Sequence, residues 1–251
     1  MWAVSALLLL QGCGEGTRSP PVLTVLAAAS LSEVFPELEQ AYEQAHSGVD
    51  VQVSLAGSQV LATQVRYGIS ADVFASANVR HVEELIAEGL LENGEVFASN
   101  ELVLALSDTW EGSLDLKNLV EVGSLVLGTP ESPIGSYTER FLERASGVYG
   151  DDWLGAVRSR VVSRESNVRL AAAKVILGEA DAAIVYATDC LGQEALRCVP
   201  VSEELAPKVS YHQARLVQSP AAGPAMAWME FVESEVGLEV LQRFGFGGPV
   251  P

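Results

Sequence analysis

Two serines near the start of this chain are the residues best placed to do chemistry, and that chemistry is anion binding. In Val22-Leu23-Thr24-Val25-Leu26-Ala27-Ala28-Ala29-Ser30 an apolar strand runs into a small-residue turn, and a serine opens an amphipathic helix. The pattern returns in Val49-Asp50-Val51-Gln52-Val53-Ser54-Leu55-Ala56-Gly57-Ser58. A helix N-terminus carries unpaired N–H groups and a partial positive charge, so a serine there helps hold an anion. In α/β proteins ligands collect just beyond the carboxyl ends of strands, where these serines fall. Residues 128–137 and 163–168 make the same strand-to-helix passage through donor-rich turns, so four such turns can line one cleft. Tyr186 ends an apolar strand, 182–186, and its hydroxyl can reach the same edge; the alternative is a half-buried strand aromatic.

Catalytic patterns are missing from the sequence. There is no Gly-x-Ser-x-Gly elbow and no Gly-x-x-x-x-Gly-Lys phosphate loop. Asp72, Asp181 and Asp189 sit beside strands, yet no base or nucleophile pairs with them, which favours turn or cap roles. His46, His81 and His212 show no metal-ligand spacing. The expectation is a binding protein and not an enzyme, with no metal and no cofactor.

Strand-like runs at 22–28, 49–55, 71–76, 101–106, 124–128, 160–163, 182–187 and 209–217 alternate with helical patterns. Leu31, Val34, Phe35, Leu38 and Tyr42 share a helix face, as do Val82, Leu85 and Ile86. Tyr137, Phe141 and Leu142 form a third face, and Val168, Ala171, Ala172, Val175 and Ile176 a fourth. Trp228, Met229, Val232, Val236 and Val240 are read as one final helix. Ser30-x-x-Glu33 and Ser136-x-x-Glu139 fit capping boxes. Regular β-α alternation implies an α/β fold with largely parallel sheets covered by helices.

The chain has 251 residues, 49% of them hydrophobic and 19% charged, enough to bury a substantial core in one large or two small domains. Its net charge is −18 and it has only three lysines, which excludes nucleic acid as a partner. An anion is therefore expected to be held by local dipoles and not by a basic patch.

The apolar stretch 2–10 is too short to span a bilayer and suits a signal-peptide core. Leu10-Gln11-Gly12-Cys13 resembles a bacterial lipoprotein signal, in which Cys13 is lipidated and becomes the mature first residue. Gln11 and the absence of Lys or Arg before Arg18 depart from that pattern, and an ordinary cleaved signal is the alternative. Cys190 and Cys198 remain as an even pair, either a local disulfide or two buried thiols.

Taken in order, several segments resemble the periplasmic molybdate-binding proteins of ABC transporters. They are Ala27-Ala28-Ala29-Ser30-Leu31, Ala56-Gly57-Ser58 with Leu61-Ala62, and Ala71-Asp72-Val73-Phe74-Ala75-Ser76-Ala77. Then follow Glu101-Leu102-Val103-Leu104, Asn167-Val168-Arg169, Ile184-Val185-Tyr186 and Arg243-Phe244-Gly245-Phe246. The resemblance implies a two-lobed periplasmic binding protein fold of type II, with mixed sheets flanked by helices and a ligand cleft between the lobes. It places signal and linker at 1–21, lobe one at 22–100 plus 212–248, and lobe two at 101–211. Crossings between lobes are expected near 99–106 and 205–215. Molybdate or tungstate would be held by neutral donors: the hydroxyls of Ser30, Ser58 and Tyr186, and the N–H groups of Ile134 and Val168. Gly57 stands where a serine is common in the family. Arg169 is the one residue able to add charge to the set. The partners implied are the oxyanion and an ABC permease, for an exported, monomeric protein touching the membrane only through a lipid anchor. The same fold binding sulfate, phosphate or another small anion is the alternative.

Overall fold

The computed structural model describes residues 22–112 and 115–250. Cys13 and the rest of the stretch read as signal and linker lie outside the described residues.

The strand β1 (Val22–Ala28) is buried from Leu23 onward except for Thr24 because it lies inside a sheet, between β2 (Asp50–Ala56) and β3 (Val73–Ser76). Both neighbours run parallel to it, and a strand covered on both faces reads as a continuous apolar run. Two antiparallel strands complete this first sheet, β4 (Leu91–Asn100) and β10 (Val209–Leu216), in the order β2-β1-β3-β10-β4. The second sheet is built alike, from β5 (Leu102–Ser107), β6 (Leu125–Gly128), β7 (Val161–Glu165), β8 (Ala182–Tyr186) and β9 (Leu196–Pro200). Its order is β7-β6-β8-β5-β9, with β6 parallel to β7 and β8, and β5 antiparallel to β8 and β9. The architecture is two lobes, each a mixed sheet flanked by helices. The chain passes from the first sheet to the second at Glu101 and returns over residues 201–208.

The alternation rule therefore overstates the parallel content, because it misses β4 and β9. Both are edge strands, and their sequences lack a clean apolar period. The strand β4 carries Glu92, Asn93, Gly94 and Glu95, with Asn93 at a φ of 56° and register shifts against β10.

Among the described residues, eight α-helices cover the sheets. In α1 (Val34–Ala45), Val34, Phe35, Leu38 and Tyr42 are buried, and Phe35 and Tyr42 meet Trp228 edge-on at 5.9 and 5.3 Å. The others are α2 (Ser58–Arg66), α3 (Val79–Ala87), α4 (Pro133–Tyr149), α5 (Asp151–Ser159), α6 (Val168–Ile176), α7 (Ala222–Glu233) and α8 (Glu235–Arg243). The single final helix expected from periodicity is two, α7 and α8. Ser234 interrupts it, and its hydroxyl caps α8 by accepting from Gly237 N–H at 3.3 Å. Val236, placed on the buried face by the one-helix reading, is exposed.

Neither expected capping box forms. Ser30 lies in a short 3₁₀ turn, Ala29–Leu31, one turn before α1. Ser136 lies inside α4, whose cap is Ser132, accepting from Gly135 N–H at 3.1 Å with Pro133 leading the helix. Cys190 and Cys198 are joined as a disulfide across 6.4 Å between their Cα atoms, tying the turn after β8 to β9.

Candidate functional site

The carboxyl ends of β1 and β2 face those of β6, β7 and β8 across a narrow cleft. Its walls are Ala28, Ala29, Ser30, Gly57, Ser58 and Ala77 from the first lobe, and Pro133, Ile134, Asn167, Val168 and Tyr186 from the second. The five residues singled out from the sequence, Ser30, Ser58, Ile134, Val168 and Tyr186, thus line one pocket. The cavity between the walls is small, about 10 Å³. All eleven lining side chains are uncharged.

Local structure explains why these groups are donors. The helix α2 begins at Ser58 behind Gly57 with no side-chain cap; the Gly57 carbonyl accepts from the Val60 and Leu61 N–H groups, so those of Ser58 and Gln59 have no acceptor within the helix. In α4 and α6 the cap side chains of Ser132 and Asn167 take the N–H of Gly135 and Leu170. That leaves the earlier N–H groups of Ile134 and Val168 at the cleft without an intrahelical partner. Gly135 makes the first of these turns possible, since a Cβ there would overlap the Thr129 carbonyl. Ser58 Oγ accepts from Ala77 N–H at 3.2 Å, and Ser30 Oγ accepts from the Tyr211 hydroxyl at 3.0 Å, so each serine keeps its own proton for another acceptor.

Tyr186 is the most pointed of the donors. Its side chain is buried, and among the described residues its hydroxyl has no hydrogen-bond partner. A buried hydroxyl without a partner costs free energy, which a ligand would recover. Burial, with the nearby Tyr211, Tyr137 and Asp189, pushes its pKa well above the usual tyrosine range, so it stays a donor.

Charge is kept out of the pocket. Arg169 follows Val168, yet its guanidinium donates to Asp189 at 3.2 Å and pairs with Glu33 of the opposite lobe. Arg169 adds no free cation to the donor set. Burial pushes the Asp189 carboxyl up to about 6, against the pull of Arg169 and of the Tyr186 N–H. Asp72 and Asp181 lie off the pocket and organise loops: Asp72 accepts from Thr24 and Ala221 N–H and the Ser219 hydroxyl, and Asp181 from Ser124. Among the described residues no group of three or more His, Cys, Asp or Glu side chains could hold a metal ion.

The lobes also touch beside the pocket. Gln59 Nε2 donates to the Ser166 carbonyl at 2.6 Å, and Arg80 Nη2 and His81 Nε2 donate to the Glu131 carbonyl at 2.7 and 3.1 Å. Gly57 matters here: a Cβ on it would lie 2.5 Å from the Ser166 carbonyl oxygen.

Residues 23–247 match the family profile of the bacterial extracellular solute-binding proteins. The chain belongs to that family. The molybdate-binding protein ModA of Mycobacterium tuberculosis is 32% identical over 242 residues, covering 95% of this solute-binding protein and 88% of the relative. Among solved structures, the periplasmic molybdate-binding protein of Azotobacter vinelandii matches with a TM-score of 0.78 at 18% identity, covering 91% of this chain and 100% of that one. The sulfate-binding protein of Mycobacterium tuberculosis matches with a TM-score of 0.78 at 18% identity, covering 92% and 88%. These two likenesses concern the fold. Sequence reasoning on this solute-binding protein missed Gln59, Tyr211 and the Glu131 carbonyl. No local signal marks them, because each matters through a partner more than 50 positions away or on the other lobe.

Proposed function

We propose that this solute-binding protein captures molybdate or tungstate and delivers it to an ABC permease. The dianion would be held by the hydroxyls of Ser30, Ser58 and Tyr186 and the N–H groups of Ile134 and Val168. The observation that carries this reading is the buried Tyr186 hydroxyl, without a partner among the described residues, in a pocket it shares with Ser30 and Ser58 and that is lined only by neutral groups. Helix N-termini supply the positive potential that the acidic surface lacks. The names of the curated relatives support this choice of ligand. Sulfate is smaller and would leave donors underused in a dry site, which disfavours it.

The two chain crossings, at Glu101 and 201–208, serve as the hinge between the lobes, and closure buries the anion. The protein acts as a monomer outside the cytoplasmic membrane, held there by a lipid on Cys13. Cys13→Ser is expected to release it from the membrane fraction, and continued sedimentation with membranes would remove the anchor from this scheme.

Titration calorimetry with molybdate, tungstate, sulfate and phosphate tests the ligand. Molybdate and tungstate should bind alike and the other two weakly. Tyr186→Phe and Ser58→Ala should each weaken molybdate binding by about 1–3 kcal/mol, the net cost of a lost charge-assisted hydrogen bond. Unchanged affinity in both variants would sink the residue assignment, and preference for sulfate or phosphate would change the ligand.

A further inference from the structure

Ser30 can serve an anion only if its hydroxyl proton points into the cleft, and the structure contains a chain of groups that sets that direction. The chain starts at Asn100, the last residue of β4 and the one before the first crossing. Its Oδ1 accepts from Glu101 N–H at 2.9 Å, and a backbone N–H can only donate. The amide is thereby fixed with its NH₂ facing the other way, where it donates to Thr188 Oγ1 at 2.9 Å and to the Tyr211 hydroxyl oxygen at 3.4 Å. With that oxygen accepting, the Tyr211 proton needs an acceptor, and Ser30 Oγ lies 3.0 Å away. Ser30 then has one proton left, and the Tyr211 side of its oxygen is already occupied.

We propose that Tyr211, itself oriented by Asn100, is a positioning residue that makes the Ser30 hydroxyl an obligate donor to the bound anion. This rests on the reading of the cleft as an oxyanion site. Tyr211 is not among the residues lining the pocket, so it acts through Ser30. Ser58 is treated in the same way by a group that can only donate, the Ala77 N–H. Two hydroxyls that already accept one bond each and have a proton to give favour an oxyanion with no proton of its own. Hydrogen phosphate brings a proton that needs an acceptor, and a buried donor without one is penalised.

Tyr211→Phe is a suitable probe, because the ring keeps its edge-on contacts with Phe97, Tyr186 and Phe246 while the hydroxyl is lost. Asn100→Asp is a second and independent one. The new carboxyl would draw the Tyr211 proton to itself, so Ser30 would turn its own proton toward Tyr211 and away from the cleft. Wild type, these two variants, Ser30→Ala and Ser30→Ala/Tyr211→Phe would be titrated calorimetrically with molybdate and inorganic phosphate at pH 7.5. Unliganded thermal unfolding would report folding. Tyr211→Phe and Asn100→Asp should each weaken molybdate about tenfold, the scale of one hydrogen bond. Both should narrow the molybdate-to-phosphate ratio, which a general loosening of the fold would not do selectively. In the Ser30→Ala background Tyr211→Phe should add nothing, since the two residues act as one unit. Wild-type molybdate affinity and selectivity in both probes would overturn the proposal, as would the same loss from Tyr211→Phe with and without Ser30. A wild-type protein that binds neither anion would overturn the oxyanion reading itself.

Discussion

Gly57→Val is expected to weaken molybdate binding by at least about 100-fold, roughly 2.7 kcal/mol, while leaving the unliganded protein near wild-type stability. Gly57 has φ −60° and ψ 137°, a backbone conformation open to any residue, so the substitution adds no backbone strain. The obstacle is on the other lobe. A Cβ would stand 2.5 Å from the Ser166 carbonyl oxygen, which is backbone and cannot swing aside. Gln59, from the first turn of α2, donates to that same carbonyl at 2.6 Å, so the valine would pry apart the contact that draws α2 toward β7 and α6. With the lobes held apart, the hydroxyls of Ser58 and Tyr186 can no longer reach one anion together. Calorimetric titration of the variant, paired with thermal unfolding without ligand, separates the effects. Wild-type affinity would show that closure does not depend on this approach.

Asp72→Ala should have the opposite signature, a large loss of stability. The Asp72 carboxyl is buried and accepts from Thr24 N–H at 2.8 Å, the Ser219 hydroxyl at 2.6 Å and Ala221 N–H at 3.2 Å. It thus joins β1 and the start of β3 to the connection between β10 and α7. Alanine would leave the Thr24 N–H without an acceptor and take the carboxylate from the Ser219 hydroxyl, while the Ala221 N–H keeps its bond to Ser219 Oγ at 3.1 Å. The orphaned donor costs about 1–3 kcal/mol and the lost Ser219 bond to the carboxylate about 1.5–3 more, so the expected loss is roughly 2.5–6 kcal/mol. For a chain of this size that lowers the melting temperature by about 5–15 °C. Asp72 does not line the pocket, so affinity at low temperature should stay within about twofold of wild type. A melting temperature within about 2 °C of wild type would show that these hydrogen bonds contribute little.

Periodicity was enough for eight of the strand positions and most helix faces, because burial selects side chains at fixed intervals along an element. It failed at β4 and β9, where one strand edge is unpaired and polar residues are tolerated. It also failed between α7 and α8, where Ser234 starts a new helix inside an unbroken apolar stripe. Capping was misread in kind. Ser30 and Ser136 have the right spacing, but Ser132 caps α4 and Ser30 is held by Tyr211, 181 positions away.

What the sequence determined by itself was which residues stand at the strand-to-helix turns, and their local setting. A strand, a small-residue turn and a helix start are written in neighbouring residues, and that is all a helix N-terminus needs to offer N–H groups. What only the tertiary structure decided was direction and neutrality. Tyr211 and Ala77 donate to Ser30 and Ser58, which leaves each serine its own proton to give, and Arg169 is withheld from the pocket by Glu33 and Asp189. Hydrogen-bond polarity and charge pairing depend on which groups meet in space, and those partners lie on other strands and the opposite lobe, beyond the reach of any local pattern.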